Sequence, residues 1–148
     1  MTGILVLLAV AVIAVLIGLI VRRRDGAVRA GRGGGPDASR RQALTAAGAA
    51  AGSVTVLHFS AEWCGPCSAV RRVVATSVQA LTDDGLRVRD VEVDMEENPD
   101  LARDFRVMSL PTTVVLDGDL RERFRASGVP GSADLRAAVL AATAPEQG

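Results

Sequence analysis

The two cysteines of the chain, Cys64 and Cys67, lie three residues apart in a segment that reads Trp-Cys-Gly-Pro-Cys. This spacing lets the two sulfurs close a small disulfide ring across one helical turn, so that a nucleophilic thiol and the thiol that resolves it are neighbours. Pro66 suits the first turn of a helix, which would place Cys64 at a helix N-terminus. Free N–H groups and the helix dipole favour a thiolate there. The pair therefore predicts thiol–disulfide exchange.

Two other uses of a cysteine pair compete with redox chemistry. A purely structural disulfide between residues so close would remove little entropy from the unfolded chain and would stabilise the fold weakly. A zinc site needs about four ligands, whereas the chain has two Cys and one His. Such a site would require two chains to share the metal. The residues thus favour a redox pair and predict no bound metal.

The segments around the cysteines must hold them in place. Residues 54–59, shortly before the cysteines, form an apolar run of strand length, and residues 68–81 carry apolar side chains at the spacing of one helix face. Further segments alternate: strands at 86–93, 113–116 and 120–125, helices at 99–105 and 132–142. The last helix is predicted to face inward through Leu135, Val139 and Leu140. The order β-α-β-α-β-β-α predicts an α/β fold with a mixed sheet flanked by helices.

A second motif, Leu110-Pro111-Thr112, follows downstream. Together with the Ala-Glu-Trp-Cys-Gly-Pro-Cys segment that begins at Ala61, it resembles the thioredoxin family, and the resemblance covers roughly residues 53–142. It implies a thioredoxin-like fold with a cis peptide bond before Pro111. It also implies exchange with protein disulfide substrates, with a reductase or another electron-donating partner. The cycle needs no bound cofactor.

The resemblance also assigns roles around the cysteines. It implies that Cys64 attacks the substrate disulfide, that Cys67 resolves the mixed disulfide, and that Pro111 lies against the pair, shapes the substrate groove and keeps metals away. The other predicted groove residues are Trp63, Gly65, Pro66, Leu110 and Gly128. Trp63 is expected to belong to a half-exposed apolar docking surface. The Gly-Pro pair between the cysteines is that of reducing members of the family, which predicts a reductase.

His58 and Asp90 depart from the family pattern. The family usually has a buried Asp six residues before the first cysteine and often a Lys on the second strand, where this chain has His58 and Asp90. His58 is flanked by apolar residues and is expected to be buried. One interpretation is a core histidine satisfied by one hydrogen bond. The other is that His58, oriented by Asp90, exchanges a proton with Cys67 during resolution, which makes both residues candidate catalytic residues.

An uncharged apolar run occupies residues 4–21. As a helix, these eighteen residues would span about 27 Å, close to the hydrocarbon thickness of a bilayer. The run predicts a retained, single-pass transmembrane anchor that holds the chain at the cell membrane. A buried core helix and a cleaved signal peptide are the alternatives. Against the signal peptide, no Arg or Lys precedes the run and no small-x-small cleavage site stands before the arginines that follow it.

Basic residues gather on one side of this run: Arg22, Arg23, Arg24, Arg29 and Arg32. Because cytoplasmic flanks carry the excess of Arg and Lys, the domain is predicted to be cytoplasmic, with an extracytoplasmic domain as the alternative. The predicted organisation is a linker at 22–52, the folded domain at 53–142 and a tail at 143–148. If residues 25–52 were fully flexible, they would reach roughly 30 Å. Residues 40–51 are a candidate short helix within the linker.

The composition excludes several chemistries. All 17 basic residues are Arg, which rules out Schiff-base chemistry and a lysine-dependent phosphate loop. The 17 acidic residues cancel that charge, and the chain has no basic aromatic patch, so no nucleic-acid partner is predicted. A length of 148 residues suits one small domain with appendages.

The function predicted from these features is that of a membrane-tethered protein thiol–disulfide oxidoreductase. One alternative keeps the enzyme but makes it an extracytoplasmic thiol reductase for exported proteins or cytochrome maturation. A second alternative is a non-catalytic docking module that uses the same surface without turnover. The presence of both cysteines favours an enzyme over the docking module.

Overall fold

The computed structural model describes residues 2–24, 26–31 and 33–144, with the side chains of residues 2–4 and 22–24 outside the description. The helices and strands are α1 (Thr2–Arg24), β1 (Arg29–Ala30), α2 (Ala38–Ala46), β2 (Val54–Ser60), α3 (Cys67–Asp83), β3 (Val88–Asp94), α4 (Pro99–Asp104), β4 (Thr112–Leu116), β5 (Glu122–Ser127) and α5 (Ser132–Thr143). From β2 onward, their order is the predicted β-α-β-α-β-β-α. Most of the predicted tail lies outside the described residues.

Five strands form a sheet in the order β1-β5-β4-β2-β3. β2 and β3 are parallel, because α3 crosses between them, whereas β4 is antiparallel to both β2 and β5. The prediction of a mixed sheet is confirmed. The register aligns Phe59 with Thr112 and Thr112 with Ser127. These three residues define one end of the sheet, which we call the cysteine end because both cysteines follow β2.

The alternating side chains of β2 supply both layers of the core. Leu57 and Phe59 face α2 and α4, where the following residues pack against them: Leu44, Leu101 and Phe105. The opposite face packs on α3 and α5 through these buried residues: Val54, Val56, Val70, Val74, Leu135 and Val139. By the same alternation, His58 lies on the face that α3 covers.

β3 is regular although its apolar residues change phase along the sequence. Its register with β2 is continuous from Val88 to Asp94. Val88 packs on the face of α3 and α5, while Val91 and Val93 are buried on the face of α2 and α4. Asp90 and Glu92 therefore share the α3 face with Val88, since side chains two residues apart point the same way.

Residues 26–31 and Gly33 are docked on the domain, which differs from a fully flexible linker. β1 pairs antiparallel with β5, and the N–H of Gly31 donates to the carbonyl oxygen of Arg123 at 2.6 Å. A Cβ on Gly31 would lie 2.7 Å from the carbonyl oxygen of Glu122. The absence of a side chain at Gly31 thus permits close approach to β5.

α2 belongs to the folded domain. The candidate short helix is confirmed over Ala38–Ala46, and Leu44 within it is fully buried in the core. Asp37 caps the helix by accepting a hydrogen bond from the Arg40 N–H at 2.8 Å. The Arg40 guanidinium lies 4.6 Å from the centre of the Phe105 ring. The core therefore includes a segment that its composition assigned to the linker.

The buried face of α5 is turned from the predicted one. Leu135 and Val139 are buried as predicted, but Leu140 is 47% exposed. Ala138 and Ala142 are buried in its place. Positions 135, 138, 139 and 142 follow the i, i+3, i+4, i+7 spacing of a single helix face, and position 140 does not.

The side chains of residues 5–21 in α1 are exposed. The large apolar side chains among them expose between 52% and 72% of their surface. Over the residues that the structure describes, no helix combines the length and the apolar content needed to cross a membrane. The predicted anchor at residues 4–21 stays a prediction, and the side chains of its flanking arginines at 22–24 lie outside the described ones.

Candidate active site

Cys64 and Cys67 form a disulfide where β2 leads into α3, with their Cα atoms 5.5 Å apart. The helix begins at Cys67, so Pro66 is the residue before the first turn instead of a residue inside it. The N–H of Cys67 donates to the carbonyl oxygen of Cys64 at 3.2 Å and closes the turn. Cys64 is 9% exposed and Cys67 is 1% exposed. Cys64 is therefore the sulfur that a substrate can reach, and Cys67 lies behind it.

Leu110 lies beside the cysteines, and Pro111 follows it at the cysteine end of the sheet. Leu110 and Met95 pack against the buried cluster that Ala61 forms with the two cysteines. The Leu110–Pro111 peptide bond is cis, as the family resemblance implied. The carbonyl oxygen of Pro111 accepts a hydrogen bond from the N–H of Gly128 at 2.8 Å. The loops before β4 and after β5 thus meet next to the disulfide.

Trp63 presents an aromatic side chain beside Cys64. It is 69% exposed, and its indole Nε1 donates to Oε1 of Glu96 at 2.9 Å. Gly65 is open to solvent, since a Cβ there would meet nothing within 4 Å. The hydrogen bond fixes one edge of the indole and leaves a broad apolar face, which suits contact with a polypeptide.

His58 and Asp90 are in contact. The parallel register pairs His58 with Glu92 and places Asp90 two residues before Glu92, on the same face of β3. Nε2 of His58 lies 3.0 Å from Oδ1 of Asp90. The His58 side chain is 3% exposed and that of Asp90 is 34% exposed. The pair lies on the face of the sheet covered by α3, the helix that begins with Cys67.

The sequence reasoning missed an ion pair next to His58. Nε of Arg71 donates to both carboxylate oxygens of Glu92, at 2.8 and 2.9 Å. Hydrogen bonding to Arg71 holds the pKa of Glu92 below its usual range, helped by the Ser60 hydroxyl and by nearby His58, while burial opposes this shift. The signal was present in β3, where strand alternation puts Glu92 on the same face as Asp90, but the phase change of the apolar residues concealed it.

Glu92→Gln is expected to lower the free energy of unfolding slightly near neutral pH. Because the folded protein lowers the pKa of Glu92, the ionised carboxylate stabilises the fold above the unfolded-state pKa of about 4.3. That contribution is lost as pH falls through the folded-state pKa. Urea unfolding at several pH values should show the difference from the native chain shrinking on acidification. Glu97→Gln, another exposed glutamate, is the control, and a pH-independent difference for Glu92→Gln would contradict the expectation.

Comparison with known proteins identifies the family. Residues 42–141 match the family model described as Thioredoxin, and the chain belongs to the thioredoxin family. A thioredoxin of Streptomyces clavuligerus is 40% identical over 63 residues, which are 43% of this chain and 55% of that protein. A bifunctional thioredoxin reductase/thioredoxin of Mycobacterium leprae (strain TN) is 32% identical over 63 residues, 43% of this chain and 13% of that protein.

Solved structures agree with this assignment. The crystal structure of chloroplastic thioredoxin z superposes with a TM-score of 0.56 at 28% identity, covering 74% of this chain and 93% of that one. The chain spans about half the length of the first curated thioredoxins that it matches. The fold is thereby identified as thioredoxin-like.

The structure places several of the predicted site residues in two groups. At the cysteine end, the disulfide, Leu110, Pro111 and Gly128 are linked by direct contacts. On the α3 face, His58 and Asp90 form a pair. Within the described part of the chain, no group of three or more His, Cys, Asp and Glu side chains is arranged to hold a metal ion. The chemistry that this arrangement offers is exchange at the disulfide, and the buried His58–Asp90 pair lies on the face covered by α3.

Proposed function

We propose that the chain is a membrane-tethered protein thiol–disulfide oxidoreductase that acts as a reductase. The observation that carries this proposal is the Cys64–Cys67 disulfide at the start of α3, next to the cis peptide before Pro111. Membership of the thioredoxin family supports the same chemistry. The Gly-Pro pair between the cysteines supports the reducing direction.

The reaction is a two-electron exchange in two steps. In the reduced chain, the Cys64 thiolate attacks one sulfur of the substrate disulfide, that S–S bond breaks, and the first substrate thiolate leaves and takes up a proton. Cys67 then loses its proton and attacks Sγ of Cys64 in the mixed disulfide, which releases the second substrate thiol. The substrate gains two electrons and two protons, and the chain ends with the Cys64–Cys67 disulfide.

The second step needs a route for the Cys67 proton, because Cys67 is almost fully buried. His58 is the candidate acceptor: it lies on the face of β2 covered by α3, and Cys67 is the first residue of that helix. Asp90, 3.0 Å from Nε2 of His58, orients the ring and compensates the charge that His58 gains. His58 acts as a general base for Cys67, and Asp90 is a positioning residue.

Electrons return to the disulfide from a dithiol partner of the thioredoxin reductase type. The relative from Mycobacterium leprae supports this assignment, since its name joins thioredoxin reductase and thioredoxin in one protein. The partner transfers two electrons and two protons to the Cys64–Cys67 disulfide by the same exchange chemistry. The cysteine pair is itself the carrier, so the chain needs no bound cofactor for its cycle.

The tether consists of residues 4–21, which cross the membrane once. Two observations support it: the run contains no charged residue, and the apolar side chains of residues 5–21 are exposed on α1 instead of packed on the domain. The five arginines that follow the run favour a cytoplasmic domain. An extracytoplasmic domain would make exported proteins the substrates.

A membrane-impermeant maleimide tests the side of the membrane. Intact cells are treated with an impermeant reductant and then labelled, in parallel with cells lysed before labelling. Cys64 and Cys67 are expected to label only after lysis, because the cytoplasmic domain is shielded by the membrane. A chain labelled fully in intact cells would place the domain outside and overturn the cytoplasmic assignment.

Steady-state turnover tests the enzymatic proposal itself. The full chain in detergent or vesicles is supplied with a dithiol reductant and with a soluble protein that contains a disulfide. We expect many substrate disulfides reduced per chain, above the rate given by the reductant alone. A rate equal to that of the reductant alone would show a docking module instead of a reductase.

A further inference from the structure

We propose that the substrates are disulfides lying close to the membrane surface, in the segments of membrane-anchored proteins that border their spans. This inference rests on the proposed function, and it names the substrate class of the same site. It follows from where the chain joins the folded domain: the tether reaches the domain at the cysteine end, so the reactive sulfurs are held beside the bilayer.

The register of β1 fixes the end of the sheet at which the chain joins. β1 is antiparallel to β5 and pairs Arg29 with Arg125 and Ala30 with Phe124. Moving from β1 back toward the N-terminus therefore leads along β5 toward Ser127, which belongs to the cysteine end. The N–H of Gly26 donates to the carbonyl oxygen of Ser127 and marks the start of the docked segment.

Gly26 is held by close contact with the loop that follows β5. It is buried and adopts a φ of +82°, a conformation that favours glycine. A Cβ at this position would lie 2.0 Å from the carbonyl oxygen of Val129 and 3.4 Å from Cα of Pro130. Such contact leaves no room for a side chain, so the docked segment is fitted to this loop.

The same loop contacts the site. Gly128, one residue beyond the partner of Gly26, donates from its N–H to the carbonyl oxygen of Pro111 at 2.8 Å. The neighbouring Leu110 packs against the buried cluster of Ala61 and the two cysteines. A chain of direct contacts thus runs from the start of the docked segment, through the loop after β5 and the cis-proline loop, to the disulfide.

Little chain separates this point from the tether. α1 ends at Arg24 and Gly26 follows two residues later, a distance of at most about 7 Å along the chain. Val21, the last residue of the proposed anchor, is five residues before Gly26, which allows at most about 18 Å. The headgroup layer of one leaflet is itself roughly 5–8 Å thick. The cysteine end is therefore held close to the membrane. A flexible linker with a reach of roughly 30 Å would let it move much farther away.

Most of the exposed large apolar side chains of the domain lie in the segments that border the site. Beyond α1, the exposed large apolar side chains of the described chain are Trp63, Met108, Val129 and Leu140. The first three belong to the cysteine loop, the loop before Pro111 and the loop after β5. Trp63 and Met108 are 69% and 92% exposed. An apolar rim around the sulfurs fits the apolar polypeptide that borders a membrane span.

Reduction by the full chain in vesicles tests this inference. The same disulfide-containing peptide is offered in three forms: joined to a membrane-spanning helix by a short spacer, joined to it by a long flexible spacer, and free in solution. Dithiothreitol supplies electrons in each case. We expect the form with the short spacer to be reduced about tenfold faster than the form with the long spacer, because confinement near the site raises its effective concentration.

Two matched insertions distinguish the effect of a short connection between tether and domain from the effect of membrane attachment alone. About twenty Gly and Ser residues inserted between Arg24 and Asp25 add roughly 25 Å of reach and should abolish the preference for the short spacer. The same insertion between Gly34 and Gly35, after the docked segment, should keep it. All three chains should reduce the free peptide at equal rates.

The outcomes distinguish this inference from the function on which it rests. A native chain with no preference, or a preference that survives the first insertion, would overturn the inference while reduction of the free peptide leaves the proposed function standing. Failure of every chain to reduce the free peptide would overturn the proposed function and this inference with it. A chain that does not float with the vesicles would overturn the tether, and the inference would fall too.

Discussion

Cys64→Ser is expected to lower the turnover of protein disulfides by a factor of about 1000 or more, because a hydroxyl cannot replace the thiolate that attacks the substrate. Cys67→Ser should also stop turnover but at a later step. Its Cys64 thiolate still attacks, and the mixed disulfide then persists because the resolving thiol is missing. Intact mass measurement of each variant after mixing with an oxidised protein should detect one covalent substrate adduct on Cys67→Ser and none on Cys64→Ser.

These two variants are matched controls for each other. Both lose the disulfide that links the two positions, so a general loss of stability affects them alike. Only the assigned roles separate them, since Cys64 is the more exposed sulfur. Adducts on both variants in equal yield would contradict the assignment of nucleophile and resolving cysteine.

His58→Gln is expected to slow resolution of the mixed disulfide about a hundredfold, the lower range for removal of a general base. The preceding attack by Cys64 should keep its rate. Both variant and native chain should be compared from about pH 6 to 9, because resolution requires removal of the Cys67 proton. Rapid mixing with a chromogenic aromatic disulfide separates the two steps, since each releases one thiol.

Two further variants control this experiment. Asp90→Asn should slow resolution in the same direction but less, because His58 stays while its charged partner at 3.0 Å is lost. Thr55→Val changes another buried residue of the same strand, and the proposed mechanism gives Thr55 no role in proton transfer. Because the Thr55 hydroxyl is buried with no hydrogen-bond partner, its loss should leave resolution unchanged. A His58→Gln variant that resolves mixed disulfides at the native rate from about pH 6 to 9 would leave His58 as a core residue only.

Local signals in the sequence predicted the parts of the site that are contiguous along the chain. The cysteine spacing, the strand before it and the helix after it are contiguous, so one short segment specifies all three. The cis bond before Pro111 came from the family resemblance instead, because an isolated X-Pro bond is mostly trans. The contact between His58 and Asp90 likewise depended on aligning two strands through the family pattern.

The features that the sequence did not predict depend on which faces of the helices, strands and loops pack against each other in the fold. Glycines such as Gly26 and Gly31 occur both in flexible linkers and in segments packed closely against a strand. Only the fold shows that these two are packed against β5 and the loop after it. Arg71 and Glu92 belong to α3 and β3, and their pairing requires knowing the face of each element. Leu140 was predicted to be in the core because it is apolar, but α5 buries Ala138 and Ala142 and leaves Leu140 exposed.

A count of thiols measures the exchange reaction itself, since Cys64 and Cys67 are the only cysteines of the chain. The reduced full chain, freed of reductant, is mixed with excess oxidised protein, and all thiols are then alkylated and counted by intact mass. We expect each chain to lose two thiols and the substrate to gain two. A chain that keeps both thiols, with none gained by the substrate, would contradict it.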